Sequence, residues 1–330
     1  MLDLALIDEA TRALAGVIRR TPMEPCPILT ERLGQRVTLK LECLQVTGSF
    51  KIRGAAFCVA RLTEAERRSG VATCSAGNHG KALAHAARSA GIRCRIHVPR
   101  GVDEAKLAGI RRLGADVVVA PSDGYDETEI EARRDASARG LPFVSAFEGE
   151  EILAGNGGTL AREIMEDAPD TRWIAVPVSG GGLAAGLVTY LTERAPAVRV
   201  VACQHRESAS LARSLERGEA ALALPPIQTL AGGLEGGIGG ENFTILRDRI
   251  ERVATAREDQ LWAATRWMLD THQILIEPSA AVTVAVCLNG EVGALEGPGV
   301  VVLSGRNVGL ESVRTILGAD TGSRGGLKVG

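Results

Sequence analysis

The chain lacks the features that would direct it to a membrane, a nucleic acid or an oxidising compartment. Its seven cysteines are odd in number and scattered singly, with no C-x-x-C pair. That pattern argues against both a disulfide framework and a structural zinc site. Neither charge sign dominates: the formal net charge is −2, with both signs spread through the sequence, which leaves no electrostatic footprint for nucleic acid or an anionic bilayer. No apolar run is long enough to cross a bilayer, since the best candidate, 280–288, is followed at once by Asn289-Gly290. The opening stretch, MLDLALIDEATRALAGVIRR, is acidic where a signal peptide is basic and reads as an amphipathic helix. Internal repeats and low-complexity tracts are also missing. The expectation is a soluble, cytoplasmic protein with a small polar substrate and no nucleic-acid or membrane partner.

What is present is a chain of 330 residues, long enough for one large or two modest domains around a substantial core. Short apolar segments at 71–74, 93–98, 116–120, 173–178, 198–203 and 300–303 predict strands. Helical patterns separate them at 81–90, 104–113, 128–138, 183–194 and 259–271. Such alternation predicts an α/β fold with mostly parallel sheets. Residues 37–42 alternate apolar and polar as a half-exposed strand does, and a helix is expected to start near Ser49. The glycine-dense stretch 232–240 predicts a mobile loop, with a plain surface turn at least as well supported. Cys74 reads as a buried strand thiol, because no neighbouring base is identifiable.

Four constellations can carry chemistry. In Thr47-Gly48-Ser49-Phe50-Lys51-Ile52-Arg53-Gly54-Ala55 a lysine sits between two apolar side chains; partial burial lowers an amine's pKa, as imine formation with an aldehyde requires. Taken alone, a solvated lysine near a helix start is the commoner case. Ser75-Ala76-Gly77-Asn78-His79-Gly80 lies where a strand gives way to a helix, a place where exposed amides and Asn78 can hold a carboxylate or a ring oxygen; an N-cap and tight turn is the plainer alternative. Ser179-Gly180-Gly181-Gly182-Leu183 opens a helix, and its glycines let the backbone wrap a phosphate monoester. The same stretch matches G-x-G-x-x-A of dinucleotide sites, but the next strand runs into Gln204 and His205 rather than an acidic residue. Finally, Val301-Val302-Leu303-Ser304-Gly305-Arg306-Asn307 delivers a serine to a strand end, either to reach a ligand or simply to turn.

Together and in this order, these motifs, with Glu277-Pro278-Ser279-Ala280-Ala281, resemble the serine/threonine dehydratase and serine racemase group of fold type II pyridoxal 5′-phosphate (PLP) enzymes, over nearly the whole chain. The resemblance implies a tryptophan synthase β-subunit-like architecture of two open α/β domains with twisted, mostly parallel sheets. The larger, PLP-binding domain is expected from 1–65 and 146–330, and a smaller mobile one from 66–145 that closes over substrate. It implies Lys51 as the Schiff-base lysine, Phe50 against the ring and Asn78 on the ring hydroxyl. Gly180, Gly181, Gly182 and Leu183 are then expected around the phosphate, and Ser304 at the pyridine nitrogen. Ser75, Ala76, Gly77, Asn78 and His79 are expected around the substrate carboxylate. A homodimer is the family's usual assembly.

The reaction implied is elimination of water from a β-hydroxy amino acid, with Lys51 taking the α-proton, followed by hydrolysis of the released product to a keto acid and ammonia. Three departures refine that expectation. Ala76 stands where racemizing relatives carry a serine, so the second proton transfer lacks a group to perform it. The segment 204–210 lacks the carboxylates of metal-binding relatives, so no metal is expected and Glu207 reads as a solvated charge. Arg306 replaces a frequent glycine, which suggests a substrate other than plain threonine, with 3-hydroxyaspartate, phenylserine or a hydroxyectoine-derived amino acid as candidates. The stretch after Ser304 is too short for a feedback regulatory domain, so end-product control is not expected. A β-replacement synthase is the nearest rival, disfavoured because those relatives have Lys-Asp-Arg where Lys51-Ile52-Arg53 stands. A non-catalytic PLP-binding protein is disfavoured by the carboxylate motif.

Overall fold

The computed structural model describes residues 2–318 apart from residue 103. Nine strands form two sheets among the described residues. The larger contains β1 (Met23–Pro25), β2 (Val37–Lys40), β6 (Trp173–Pro177), β7 (Arg199–His205), β8 (Ile250–Ala256) and β9 (Gly299–Val302) in the order β1-β2-β9-β6-β7-β8. The smaller contains β3 (Val71–Cys74), β4 (Cys94–Val98) and β5 (Asp116–Val119) in sequence order. Every pairing is parallel except β1 with β2.

Because successive strand residues point to opposite faces, β6 divides its side chains between two cores. Trp173 and Ala175 pack with Val201 and Val301 on one face, under the helices Glu258–His272 and Pro278–Leu288. Ile174 and Val176 pack on the other, in a cluster that runs on to Ile96 and Val98 of the smaller sheet. Both faces of the larger sheet are therefore covered, as parallel strands require. Among the described residues no helix is long and apolar enough to cross a membrane.

The strand expectations at 71–74, 93–98, 116–120 and 173–178 agree within a residue with the observed elements, but two local expectations need correction and one strand was not expected. First, β2 is not half-exposed: Lys40 is fully buried, as is Glu42 beyond it, because opposite charges from distant segments neutralise them. Second, the helix expected near Ser49 begins at Ile52. Gly48 turns with φ +82° and Ser49 pairs with Gly305 in an antiparallel bridge, so the intervening residues are held extended or turned. Third, β8 escapes the pattern because it is a polar edge strand, IERVATA, buried only toward its end.

A π-helical turn, Ala154–Gly158, joins Glu150–Leu153 to Thr159–Asp167. It wedges between the Ile52–Arg61 helix and the Gly182–Arg194 helix. A Cβ on Gly155 would lie 2.6 Å from the Gly54 Cα, and one on Gly157 would lie 2.1 Å from the Leu183 oxygen. Asn156 Oδ1 accepts from the Gly54 N–H at 2.8 Å. This contact locks the helix after Lys51 to the helix after the glycine loop.

Candidate active site

Open α/β sheets gather ligands beyond the carboxyl ends of their strands, and the four constellations lie there. Lys51 is set by β-type contacts on its N-terminal side: besides the Ser49–Gly305 bridge, Phe50 N–H donates to the Ser304 oxygen at 3.0 Å. Two segments far apart in sequence are thereby sewn together. The Lys51 Nζ donates to the Ala146 oxygen at 2.5 Å and lies 5.1 Å from the centre of the Phe50 ring. Among the described residues it makes no ion pair with a carboxylate. Burial pushes its pKa down to about 8, opposed only by the more distant charge of Glu277. A substantial fraction of the amine is therefore neutral near physiological pH.

The Ser75–His79 segment follows β3 and opens the helix Asn78–Ser89. Its first intrahelical bond runs from Lys81 N–H to the Gly77 oxygen. The N–H groups of Asn78, His79 and Gly80 are therefore left without helical acceptors, in the positive end of the helix dipole. Gly77 is exposed in open space, whereas Gly80 is forced, since a Cβ there would lie 2.0 Å from the Ser75 oxygen. The Ser75 hydroxyl accepts from Gly77 N–H at 3.2 Å. The His79 imidazole is buried and its Nε2 lies 3.2 Å from the Val144 oxygen, so Nε2 is the donor. Burial, reinforced by the charge of Lys51, pushes its pKa down to about 3. A neutral ring committed in this way leaves the backbone N–H as what His79 can offer an anion. Cys74 is buried, and burial pushes its thiol up to about 12, in keeping with an inert strand residue.

The glycine loop follows β6. Gly181 adopts φ +89°, and the helix Gly182–Arg194 makes its first bond from Ala185 N–H to the Gly181 oxygen. The N–H groups of Gly182, Leu183 and Ala184 are thus without helical partners. The Gly180 oxygen is tied by Asn242 Nδ2 at 2.7 Å and by Gly239 N–H at 3.1 Å. A trans peptide points its C=O and N–H in opposite directions, so the Gly181 N–H faces away from those anchors. Phe147 covers the loop closely: a Cβ on Gly180 would lie 2.3 Å from its ring, and one on Gly182 would lie 2.3 Å from its carbonyl oxygen. The segment holding Ala146 and Phe147 therefore joins the lysine to the glycine loop.

The glycine-dense stretch 232–240 is tied down, which corrects the expectation of mobility. Its Glu235 oxygen accepts from Ser179 Oγ at 2.7 Å, its Gly233 N–H donates to Ser279 Oγ at 2.9 Å, and Leu234 and Ile238 are buried. Its glycines permit contact rather than motion: a Cβ on Gly237 would lie 2.0 Å from the Leu222 oxygen.

Facing the lysine from the other side is a polar network. Asn78 Nδ2 donates to Glu277 Oε1 at 2.7 Å, Asn307 Nδ2 donates to Asn78 Oδ1 at 2.6 Å, and Asn307 N–H donates to Glu277 Oε2 at 3.0 Å. Glu277 is nearly buried, and burial raises its pKa to about 7 against the opposing hydrogen bonds of Asn78 and Asn307. Ser304 is buried, and its hydroxyl bonds no described residue. Arg306 is exposed, and its guanidinium makes no described hydrogen bond or ion pair.

The structure therefore joins Phe50, Lys51, Asn78, Ser304 and the Gly180–Gly182 loop through a continuous chain of contacts. Glu277 was visible in the sequence only as part of a motif, without a role. Ala146, Phe147, Asn242 and Asn307 were missed because they act through backbone oxygens or long-range bonds; the only hint was Asn307, at the end of a strand motif.

An amine at a helix start, an anion-accepting glycine loop and a covered α/β frame define an enzyme class built around a phosphorylated aldehyde. The chain belongs to the pyridoxal-phosphate dependent enzyme family, whose profile matches residues 14–305. It is 35% identical over 319 residues to a putative threonine dehydratase of Sinorhizobium fredii, covering 96% of this chain and 95% of the relative. It is also 35% identical over 318 residues to an L-threonine ammonia-lyase of Thermotoga maritima, covering 96% and 78%. Among solved structures, maize serine racemase superposes with a TM-score of 0.89 at 27% identity, over 96% of this chain and 98% of that one. The chain is accordingly a PLP-dependent lyase of the threonine/serine dehydratase-like family, and PLP is its cofactor.

Proposed function

We propose that the enzyme eliminates water from a β-hydroxy amino acid of the threonine or serine type, and that the released enamine takes up water again as it hydrolyses to a 2-keto acid and ammonia. The observation that carries this reading is the Lys51 amine: it is half-buried without a carboxylate partner, has a pKa of about 8, and hydrogen-bonds a carbonyl next to the glycine loop. Such an amine can serve as covalent anchor and then as proton acceptor near neutral pH.

The residues fit the cofactor. The Gly180–Gly182 loop and the Leu183 N–H offer donors for a phosphate, with no Cβ in the way. Ser304 supplies a hydroxyl with no protein partner for a pyridine nitrogen. Asn78 keeps one Nδ2 proton for a ring oxygen, and Phe50 supplies an apolar wall. When bound, PLP supplies the aldehyde that captures the substrate amine and the conjugated ring that stabilises negative charge at the α-carbon.

The remaining work falls to the protein. The N–H groups at the start of the Asn78–Ser89 helix, with Ser75, hold the substrate carboxylate and orient its α-proton toward Lys51. Lys51 accepts that proton, and its position beside the Ala146 oxygen keeps it within the cleft. A neutral serine at the ring nitrogen exerts less pull on that nitrogen's proton than a carboxylate, which favours prompt elimination. Ala76 offers only a methyl group, so no second acid/base returns a proton to the opposite face. The unit spanning 66–145 closes over substrate, and the active assembly is a homodimer.

A screen of serine, threonine, 3-hydroxyaspartate and phenylserine in both configurations, read as keto acid and ammonia, tests this reading. Turnover of at least one β-hydroxy amino acid, without inversion of unreacted substrate, is the expected result. Thioether formation with an added thiol, without ammonia release, would replace it with β-substitution. Repeating the screen with Arg306→Gly shows whether the exposed guanidinium shapes substrate preference.

A further inference from the structure

We propose that Asn307, braced by Lys81, is a positioning residue that fixes the Asn78 carboxamide in the orientation offering an N–H to the cofactor's ring oxygen. This rests on the reading that Asn78 faces that oxygen.

A carboxamide has two ends of nearly equal size, one donating and one accepting, and only its neighbours decide which lies where. Asn307 has no such freedom. Lys81 Nζ, which can only donate, meets its Oδ1 at 2.6 Å, and the Thr47 oxygen, which can only accept, meets its Nδ2 at 2.9 Å. Turning the amide over would set donor against donor and acceptor against acceptor. The second Nδ2 proton of Asn307 is therefore always presented to Asn78, whose Oδ1 receives it at 2.6 Å. Asn78 is then obliged to turn its own Nδ2 toward Glu277 at 2.7 Å.

In its protonated form Glu277 cannot fix that orientation alone. A protonated carboxyl can donate as well as accept, so it would tolerate Asn78 either way round, whereas Asn307 would not. The bracing also crosses the molecule: Asn78 and Lys81 belong to the helix after β3, while Glu277 and Asn307 lie beside the larger sheet. Gly48 adapts to the arrangement, since a Cβ there would lie 2.7 Å from Asn307 Oδ1.

The test compares PLP affinity and the visible absorption of PLP-loaded enzyme at one pH for native protein, Asn307→Asp, Lys81→Met, Lys81→Arg and Asn78→Ala. Asn307→Asp replaces the donor by an acceptor. It is expected to weaken PLP binding about tenfold, the scale of one lost hydrogen bond, and to shift absorption toward the form with a protonated ring oxygen. Lys81→Met moves both readouts the same way by a smaller factor, and Lys81→Arg, which still only donates, restores them. Native affinity and spectrum in both Asn307→Asp and Lys81→Met, with both altered in Asn78→Ala, would overturn the positioning role alone. An unchanged spectrum and affinity in Asn78→Ala would instead remove the reading on which it rests. Failure of Lys81→Arg to restore what Lys81→Met loses also counts against the proposal.

Discussion

Two polar clusters flank the start of the Ile52–Arg61 helix, and they handle buried charge in opposite ways. On one side Arg53, fully buried, donates to both oxygens of Glu42 at 2.8 Å and to both oxygens of Glu163 at 2.7 and 2.8 Å. Lys40, also fully buried, donates to Glu163 at 2.8 Å and to the Thr21 oxygen. Two cations face two carboxylates at hydrogen-bond distance, with Asp167 farther out at 3.9 Å from Lys40. Burial alone would lower the basicity of Arg53, but Glu42 and Glu163 outweigh it and raise it; burial likewise opposes ionisation of Glu163, and the bonds from Arg53 hold its pKa down. On the other side the half-buried Lys51 and the buried Glu277 have carbonyl and amide partners but no opposite charge in contact, and their pKa values drift to about 8 and about 7. Balanced charge makes a fixed strut, and unbalanced charge makes groups that exchange protons near neutrality.

The largest expected difference is in stability. Arg53→Ala leaves Glu42 and Glu163 with one cation between them, and such a broken buried pair costs about 3–5 kcal/mol. Urea unfolding of the unloaded protein checks this, and a loss under about 1 kcal/mol would remove the distinction between the clusters.

Lys51→Met should act in the opposite direction, stabilising the unloaded protein at pH 7 by at most about 3 kcal/mol, less whatever the cleft's partial exposure relieves. The folded-state pKa of Lys51 lies below its ordinary 10.5, so from about pH 8 upward the unfolded chain holds the extra proton and native stability rises with pH. The gap between variant and native should close across that window, and a gap that stays constant would contradict the assignment.

The smallest effect, at acid pH, belongs to Glu277→Gln. At pH 5 both side chains are neutral, and the midpoints should agree within about 1 kcal/mol. The raised pKa of Glu277 means the folded state holds the extra proton between 4.5 and about 7, so native stability falls through that window while the glutamine variant keeps it. Parallel stability–pH curves would show that Glu277 does not titrate there.

The same contrast explains what was legible in the sequence. The helix-opening segments and the strand-end serine are visible locally as candidates, because glycine, serine and asparagine are needed wherever backbone approaches a ligand, and the lysine stands out only in their company. The charge cluster does not. Lys40 and Glu42 look like the polar half of an alternating strand, and the partner that keeps Lys40 inside, Glu163, comes from a helix elsewhere in the chain. Stretch 232–240 misleads for a related reason: glycine marks close approach as readily as freedom, and only tertiary contacts distinguish them. His79 shows the reverse: its ring turns toward Val144, so what it can offer a ligand is its backbone N–H, which a side-chain motif does not announce. The helix Pro278–Leu288 is buried almost throughout, so it carries no amphipathic period by which to recognise it.

The central claim is that Lys51, and not the ion-paired Lys40 or the amide-bound Lys81, is the amine that carries the cofactor. Borohydride reduction of the PLP-loaded enzyme followed by peptide mapping tests it directly. The account predicts a stable phosphopyridoxyl label on the peptide containing Lys51 alone; a label at another lysine, with position 51 unmodified, would contradict it.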